Sequence, residues 1–273
     1  MTLPSRLLIL LTNDDGIDSP GLKASVRAAL ELGDVLVAAP ALQQTAMGRA
    51  FRGQHDAVFE PVPFEVEGQS VPAFRLNASP ASVVRHALEA LCATRLPDLV
   101  ISGINYGENL GSAITASGTV GAAMEAASRG IPSLAASLQM APEDFLHHRD
   151  KDWSAAAHFV GFFAARLLAA PPMPDVDLLK LDVPDTATPE TPWRLCRLSR
   201  QSYFHMVLDS PTPRSALGAG QIQCRVDLAS LEPDSDVHAL SVDRVVSVTP
   251  LSLDMTSRKS LESIHTWLDA GKK

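Results

Sequence analysis

The sequence predicts an α/β protein built on a mostly parallel sheet with helices on both faces. Continuously apolar runs recur along the chain, and the first of them, at 7–11, shows no polar alternation. Such a run is typical of a strand buried on both faces, and strands of that kind belong to parallel sheets covered by helices. Segments with helical periodicity separate the runs, as strand–helix–strand units require.

The first strand–helix–strand unit illustrates the pattern. Ser19 supplies a helix N-cap and Pro20 a first-turn proline, so we expect a helix over 20–32. Gly33 ends this helix, and the apolar run at 35–39 predicts the second strand. The unit is therefore the start of a parallel sheet with a right-handed crossover.

The alternation of strands and helices continues to about residue 183. Residues 56–76 contain short β-like pieces with prolines, which indicate a hairpin beside the main sheet. Further strands are predicted at 98–102, 131–137 and 176–183, and further helices at 81–94, from 117 or 118 to 130, and at 153–170.

Beyond residue 184 the pattern changes. Two β-like runs joined by a Pro/Ser/Gly-rich tip predict a hairpin arm within 193–228. A strand at 242–248 and a terminal helix at 257–268 are expected to follow. Trp267, in that helix, is predicted to be a core residue.

Length and composition limit the class of protein. At 273 residues the chain is long enough for a single domain, which we divide into an α/β core at 1–195 and a C-terminal extension at 196–273. The net charge of −8 argues against a nucleic-acid polymer or an anionic membrane as a partner. The N-terminus shows neither a signal peptide nor a membrane span, and the three cysteines have no CxxC spacing, so we expect reduced thiols and a cytoplasmic location.

The loops that follow the first three buried strands carry polar side chains. Because the carboxyl ends of parallel strands share one edge of a sheet, we expect these loops to lie together. Asp14 and Asp15 follow the first strand, and adjacent carboxylates repel unless a cation lies between them. Thr45, after the second strand, and Asn105, after the third, add neutral oxygens. An oxygen-rich site with two charges suits Mg²⁺, Mn²⁺ or Ca²⁺.

A glycine-rich stretch ends in Ser117, Gly118 and Thr119, at the start of a predicted helix. Backbone N–H groups at a helix N-terminus, with hydroxyls beside them, make a phosphate site, although the stretch fits neither the P-loop nor the GxGxxG pattern. A divalent metal facing a phosphate cradle implies phosphoester hydrolysis. The ordinary alternatives are a helix cap beside a solvated carboxylate for the aspartate pair and a plain cap for the serine.

Four motifs resemble those of a known family. TNDDGIDSPG, SGINYGENLG and SGTVGAAMEA occur in this order, and VSVTPLSLDMT lies near the C-terminus. These segments are similar to the signatures of the SurE family of stationary-phase survival proteins, and the resemblance covers nearly the whole chain. It implies a Rossmann-like α/β core and a metal-dependent phosphatase of nucleoside 5′-monophosphates, and often of 3′-monophosphates. It also implies a homodimer or homotetramer whose C-terminal extensions are exchanged between subunits.

The resemblance implies roles for individual residues. Asp14, Asp15 and Asn105 match metal ligands of the family, and Thr45 stands where the family has a serine but keeps the hydroxyl oxygen. One divalent ion per subunit, Mg²⁺ or Mn²⁺, is implied, with the two aspartates as the catalytic residues and Asp14 as the candidate proton acceptor. The positions expected to line the phosphate pocket are Asn13, Asn109, Ser117, Gly118 and Thr119.

A metal-dependent nucleotidase is thus the expected function. The arm at 202–225 lacks the aromatic-rich pattern usual in the family, so it leaves oligomer contacts and substrate range open. One alternative is an enzyme acting on other small phosphoesters, such as short polyphosphate. Another is a non-catalytic nucleotide or metal sensor. Retention of both aspartates, Asn105 and a hydroxyl at position 45 favours catalysis, because a pure binder has no evident need for an open metal position.

Overall fold

The structure, a computed structural model, describes residues 6–140 and 151–270. Nine of its strands form one sheet, and four form two small antiparallel hairpins. The strands are β1 (Leu8–Thr12), β2 (Asp34–Pro40), β3 (Glu60–Pro61), β4 (Glu65–Val66), β5 (Gln69–Ser70), β6 (Ala73–Leu76), β7 (Leu99–Tyr106), β8 (Ser133–Leu138), β9 (Leu178–Val183), β10 (Trp193–Leu195), β11 (Phe204–Val207), β12 (Gln221–Cys224) and β13 (Val246–Leu251).

The helices connect and cover these strands. They are α1 (Pro20–Leu30), α2 (Pro80–Ala90), α3 (Gly118–Ala127), α4 (Ser154–Ala169), α5 (Asp236–Ser241) and α6 (Leu261–Ala270), with short 3₁₀ turns at Gly111–Ala116 and Leu217–Ala219. Proline is the first residue of α1 and of α2. An N–H at that position has no acceptor within the helix, so its absence in proline costs no helical hydrogen bond. No helix in the described ranges is long and apolar enough to cross a bilayer.

The main sheet has the order β10-β13-β9-β8-β7-β1-β2-β6-β3. Its six central strands, from β9 to β6, are parallel, whereas β13 runs antiparallel to β9 and β3 antiparallel to β6. This arrangement confirms the predicted α/β class with a mostly parallel sheet. The carboxyl ends of β1, β2, β6 and β7 therefore open on one edge.

Each face of the sheet is covered by its own pair of helices. On one face, Leu11 of β1 packs in a cluster with residues of α1 and α4, including Leu22 and Phe159. On the other face, Leu10 belongs to a cluster with α2 and α3, including Leu88 and Ala126. Successive strand residues thus point to opposite faces, and both are buried, which explains why the sequence of β1 shows no polar alternation.

The structure corrects the predicted end of the third buried strand. That strand was expected at 98–102, with a loop from Gly103, but β7 continues to Tyr106. After a register shift, Asn105 pairs with Ser137 of β8, so the glycine-rich stretch begins as strand. The candidate metal ligand Asn105 consequently lies at a strand end rather than within a loop.

Two other predicted segments also differ. Within 56–76 only β4 and β5 form a separate hairpin. Strand β6 instead joins the main sheet, where it pairs in parallel with the end of β2. The strand predicted at 242–248 begins at Val246, and the short helix α5 precedes it. Ser235 caps α5, its hydroxyl accepting the N–H of His238 at 3.2 Å.

The C-terminal part combines core and projecting elements. Strand β13 lies between β9 and β10 in the main sheet, so residues of the predicted extension share the core. Strands β11 and β12 pair as the expected hairpin arm, and α6 is the expected terminal helix. The prediction for Trp267 was wrong: its side chain is 73% exposed in the single chain, and α6 has no buried residue.

Candidate functional site

The loop after β1 is held by the side chain of Asn13. Its Nδ2 donates to the carbonyl of Gly16 at 2.8 Å, and its Oδ1 accepts the N–H of Gly16 at 3.2 Å. Gly16 has φ +97° and lies against the backbone of Leu42, which a Cβ would approach to 3.2 Å. Both ends of the Asn13 amide are therefore engaged in forming the turn that presents Asp14 and Asp15.

Both aspartates of this loop are buried, each only 6% exposed. Oδ1 of Asp14 accepts a hydrogen bond from the hydroxyl of Thr119, and Oδ2 lies 2.7 Å from where a Cβ of Gly118 would be. The absence of a side chain at Gly118 lets the N-terminus of α3 stand directly against Asp14. Oδ2 of Asp15 accepts the backbone N–H of Tyr106 at 2.8 Å.

The electrostatic state of Asp14 is unusual. Burial, together with the neighbouring charge of Asp15, raises the pKa of the Asp14 carboxyl from 3.8 to about 7, although the hydroxyl of Thr119 opposes the shift. No ion pair found within the described ranges includes Asp14. A buried carboxylate beside a second one, with no cation paired to it, favours binding of a proton or a metal ion.

The donor set fits a hard divalent cation. No cluster of three or more His, Cys, Asp or Glu side chains occurs in the part of the chain that the structure describes. A metal here would thus rely on two carboxylates and neutral oxygens, which suits Mg²⁺ or Mn²⁺ and does not suit zinc. These ions keep positions for water and substrate phosphate when few protein ligands bind them.

Asn105 lies at the end of β7 and Thr45 in the loop after β2, and a neighbour of each is hydrogen bonded to the aspartate pair. The Nδ2 of Asn105 donates to the carbonyl of Gly107 at 2.6 Å, so Oδ1 is the amide atom left to serve as a ligand. The next residue, Tyr106, contacts Asp15. Thr45 is exposed and directly follows Gln44, whose N–H donates to the carbonyl of Asp14 at 2.6 Å.

The side chain of Ser117 caps the N-terminus of α3. The hydroxyl of Ser117 accepts the N–H of Val120 at 3.1 Å, and α3 begins at Gly118 as predicted. Hydrogen bonds from the hydroxyl and the backbone of Thr119 both lower the pKa of Asp14 against its burial. The helix start therefore supports Asp14 itself, and its contact with a phosphate stays a prediction.

Asn109 belongs to a buried polar network that sequence reasoning missed. Its Nδ2 donates to the hydroxyl of Ser137 at 2.9 Å, its N–H to Asp182 Oδ1 at 2.7 Å, and its carbonyl accepts from Lys180 Nζ at 2.8 Å. Among the described residues, none of these bonds goes to the aspartate loop. Asn109 is thus held by its backbone and by its side-chain amide, and its role toward substrate stays a prediction.

The network centres on three fully buried charges, Lys180, Asp182 and Asp236, which we call the buried triad. Lys180 is hydrogen bonded to Asp182 and lies 3.1 Å from Asp236. Burial alone would lower the pKa of Lys180, but the two carboxylates raise it above its ordinary value. Asp236 also accepts the N–H of Gly111 at 2.9 Å, so the triad holds the loop that leads from β7 to α3.

A second missed residue, Glu108, joins this loop to the arm. Its carboxyl oxygens accept the hydroxyl of Tyr203 at 3.0 Å and the N–H of Met140 at 3.1 Å. Burial raises the pKa of Glu108 to about 7.

Part of the buried triad could have been found from the sequence. Lys180 and Asp182 are two residues apart in an apolar strand, and this spacing puts both side chains on one face.

Fold and site together define a Rossmann-like α/β protein with a carboxylate pair at the edge where such sheets bind ligands. The sequence pattern of the family described as "Survival protein SurE" matches residues 9–205. The chain belongs to the SurE family.

Relatives and solved structures agree over most of the chain. A protein of Methanocella arvoryzae named "5′-nucleotidase SurE" is 40% identical over 262 residues, covering 91% of this chain and 93% of the relative. One of the same name from Thermococcus gammatolerans is 39% identical, covering 95% of both chains. The crystal structure of the SurE protein from Aquifex aeolicus superposes with a TM-score of 0.73 at 28% identity, covering 96% of this chain and 99% of that one.

Proposed function

We propose that this protein is a metal-dependent 5′-nucleotidase, which hydrolyses nucleoside 5′-monophosphates, and also 3′-monophosphates, to nucleoside and phosphate. The observation that carries the proposal is the pair Asp14 and Asp15, buried side by side against the N-terminus of α3. Two adjacent carboxylates repel each other, and a cation bound between them relieves that repulsion. The relatives at 39–40% identity that are named 5′-nucleotidase support the same conclusion.

Four residues would hold one divalent ion, Mg²⁺ or Mn²⁺. Asp14 and Asp15 would supply the anionic oxygens, and Asn105 and Thr45 the neutral ones. When bound, such an ion acts as a Lewis acid toward the phosphate and lowers the pKa of a coordinated water. The hydrogen bond from Tyr106 to Asp15 and that from Thr119 to Asp14 fix the two carboxylates in place before any ligand arrives.

The N-terminus of α3 would orient the phosphate. Ser117, Gly118 and Thr119 place the positive end of the helix dipole beside Asp14, and negative charge is stabilised there. Asn13 acts here as a positioning residue, because both ends of its amide hold the turn. Asp14 is the residue that we assign as proton acceptor, because its buried carboxyl lies against the start of α3, where the phosphate would bind.

Phosphate release tests the proposal. The intact protein is assayed with AMP, with a 3′-monophosphate and with short-chain polyphosphate, in Mg²⁺, in Mn²⁺ and in EDTA. Metal-dependent release from AMP is expected, and Asp15→Asn should reduce it by more than about 100-fold, since the metal ligand is lost. The control is Glu31→Gln, an exposed carboxylate at the C-terminal end of α1, away from the edge where the aspartates lie. Release from no substrate would contradict an enzyme, and release from polyphosphate alone would contradict a nucleotidase.

We further propose a cytoplasmic homodimer or homotetramer with a single domain whose C-terminal elements are exchanged. Several apolar side chains of the C-terminal part are exposed in the single chain. Exposed apolar surface of this kind is typical of a subunit interface, which supports the exchange. The exposed side chains include Leu217, Leu228, Leu261 and Trp267. Light scattering of the intact protein should give a mass of two or four chains, and a monomer mass would contradict the assembly.

A further inference from the structure

The loop after β2, residues 41–53, crosses the edge of the sheet where the aspartates lie, and we call it the β2 loop. Its Gly48 donates an N–H to the carbonyl of Ala116 at 2.8 Å. The carbonyl of Gly48 is pressed against α3, because a Cβ on Gly121 would lie 2.1 Å from it. The β2 loop is therefore fixed beside the first turn of the helix that supports Asp14.

The next part of the β2 loop is fixed to the start of α2. The hydroxyl of Ser79 donates to the carbonyl of Ala50 at 2.5 Å and accepts the N–H of Arg52 at 3.1 Å. The N–H of Ser79 donates to the carbonyl of Arg52 at 2.8 Å. Because both neighbours of Phe51 are bound to one residue, the backbone at Phe51 is held in place.

Phe51 is the one exposed Phe, Tyr or Trp in the described residues before Trp193, with 51% of its surface accessible. The guanidinium carbon of Arg85 lies 4.6 Å from the centroid of its ring. Arg85 therefore puts a positive charge on one face of the ring, and the exposed Arg52 adjoins Phe51 in the sequence, on a chain of net charge −8. This chemistry suits a planar, anionic ligand.

The sheet topology and the short distance in sequence from Gly48 limit how far Phe51 can lie from the proposed phosphate site. Helices α2 and α3 follow β6 and β7, so both begin at the carboxyl edge of the parallel sheet. Gly48 contacts the start of α3, and Phe51 is three residues further, at most about 10 Å away along an extended chain. That reach is comparable to the separation of phosphate and base in a nucleoside monophosphate.

We propose that Phe51, with Arg85 packed on its ring, is the platform on which the base of the nucleotide stacks. Phe51 is then a specificity-determining residue that separates nucleotides from base-free phosphoesters. The proposal rests on the nucleotidase activity proposed above. Stacking on an exposed ring tolerates any base, so the platform selects for the presence of a base more than for its identity.

The test compares AMP with ribose 5-phosphate, which lacks only the base, in the intact Mn²⁺-loaded protein. Replacing an aromatic platform by alanine costs about 1–3 kcal/mol per stacked base, so Phe51→Ala should raise KM for AMP and Ki for the product adenosine by roughly 5-fold or more. Neither kcat for AMP nor kcat/KM for ribose 5-phosphate should change. Phe51→Trp should restore both constants. The matched control is Leu96→Ala, equally exposed at 51% and located in the turn before β7, at the opposite edge.

The outcomes separate this inference from the proposed function. If the wild type releases phosphate from neither AMP nor ribose 5-phosphate, the nucleotidase proposal fails. If the wild type is active and Phe51→Ala leaves KM and Ki unchanged, the platform is refuted. The platform is also refuted if Phe51→Ala weakens both substrates equally, or if it changes the mass measured by light scattering, since Phe51 would then be a subunit contact.

Discussion

Two groups of buried charge lie on either side of the loop from β7 to α3, and they are balanced differently. The buried triad contains its own cation, and Asp236 alone accepts the backbone N–H groups of Gly111, Ser199 and Val237 at 2.9 Å each. The pair Asp14 and Asp15 brings two negative charges together, and the pKa of Asp14 rises to about 7. A buried carboxylate paired with a lysine is costly for the fold to lose, whereas Asp14, which has no ion pair within the described ranges and a raised pKa, indicates a ligand site.

Glu108 is an intermediate case. It is a single buried carboxyl with no cation within the described hydrogen bonds and ion pairs, and its bonds to Tyr203 and Met140 do not keep its pKa at the ordinary value. Unlike Asp14, it faces the root of the arm. The comparison therefore predicts that Glu108 affects folding rather than metal binding.

The largest effect is expected for Lys180→Met. This substitution leaves Asp182 and Asp236 buried without their cation, and breaking a buried ion pair in this way costs about 3–5 kcal/mol. Urea unfolding at fixed protein concentration measures the change. The double variant Lys180→Met/Asp182→Asn should recover part of the loss, because one unpaired charge is removed. A loss below about 1 kcal/mol would show that the triad does not stabilise the fold.

A gain in stability is expected for Asp14→Asn in EDTA. Because the folded pKa of Asp14, about 7, lies above its ordinary 3.8, the stability of the folded protein falls as pH rises between these values, and the whole loss is present above pH 7. The amide removes that charge and can still accept from Thr119, so the metal-free protein should be more stable at pH 8 by roughly 2 kcal/mol. Thermal unfolding in EDTA gives the difference. A less stable Asp14→Asn would mean that the pair contributes to the fold as the triad does.

A smaller gain is expected for Glu108→Gln, and its pH dependence gives the sign. The folded pKa of about 7 lies above the ordinary 4.5, so the stability of the wild type falls as pH rises between these values. Glutamine has no such titration, and the variant should gain roughly 1–2 kcal/mol at pH 8 and little at pH 4. Unfolding curves across this range check the prediction. Equal differences at both pH values would argue against a protonated Glu108.

Much of the fold was accessible from local patterns. The strand at 7–11 and the helix beginning at Pro20 were predictable because burial on both faces and helix capping leave marks in a few adjacent residues. The placement of β6 and the extension of β7 to Tyr106 were not, because both depend on pairing with strands distant in sequence. The exposure of Trp267 was also missed, since apolar periodicity alone does not show what a terminal helix packs against.

The candidate site was partly predictable for the same reason. Asp14 and Asp15 are adjacent, and their repulsion is evident from sequence alone. The approach of Gly118 and Thr119 to Asp14 follows from the shared sheet edge. Asp236 could not be foreseen as a partner of Lys180, because 56 residues and a change of strand direction separate the two.

Calorimetric titration with Mn²⁺ tests the central claim, that the adjacent carboxylates of Asp14 and Asp15 form a metal site. The wild type should bind one ion per chain, and its affinity should fall below pH 7, because a proton on Asp14 competes with the metal. Asp15→Asn should abolish this binding, while Asp182→Asn, in the compensated triad, should leave the stoichiometry at one. Binding of one Mn²⁺ per chain by Asp15→Asn with unchanged affinity would contradict the account.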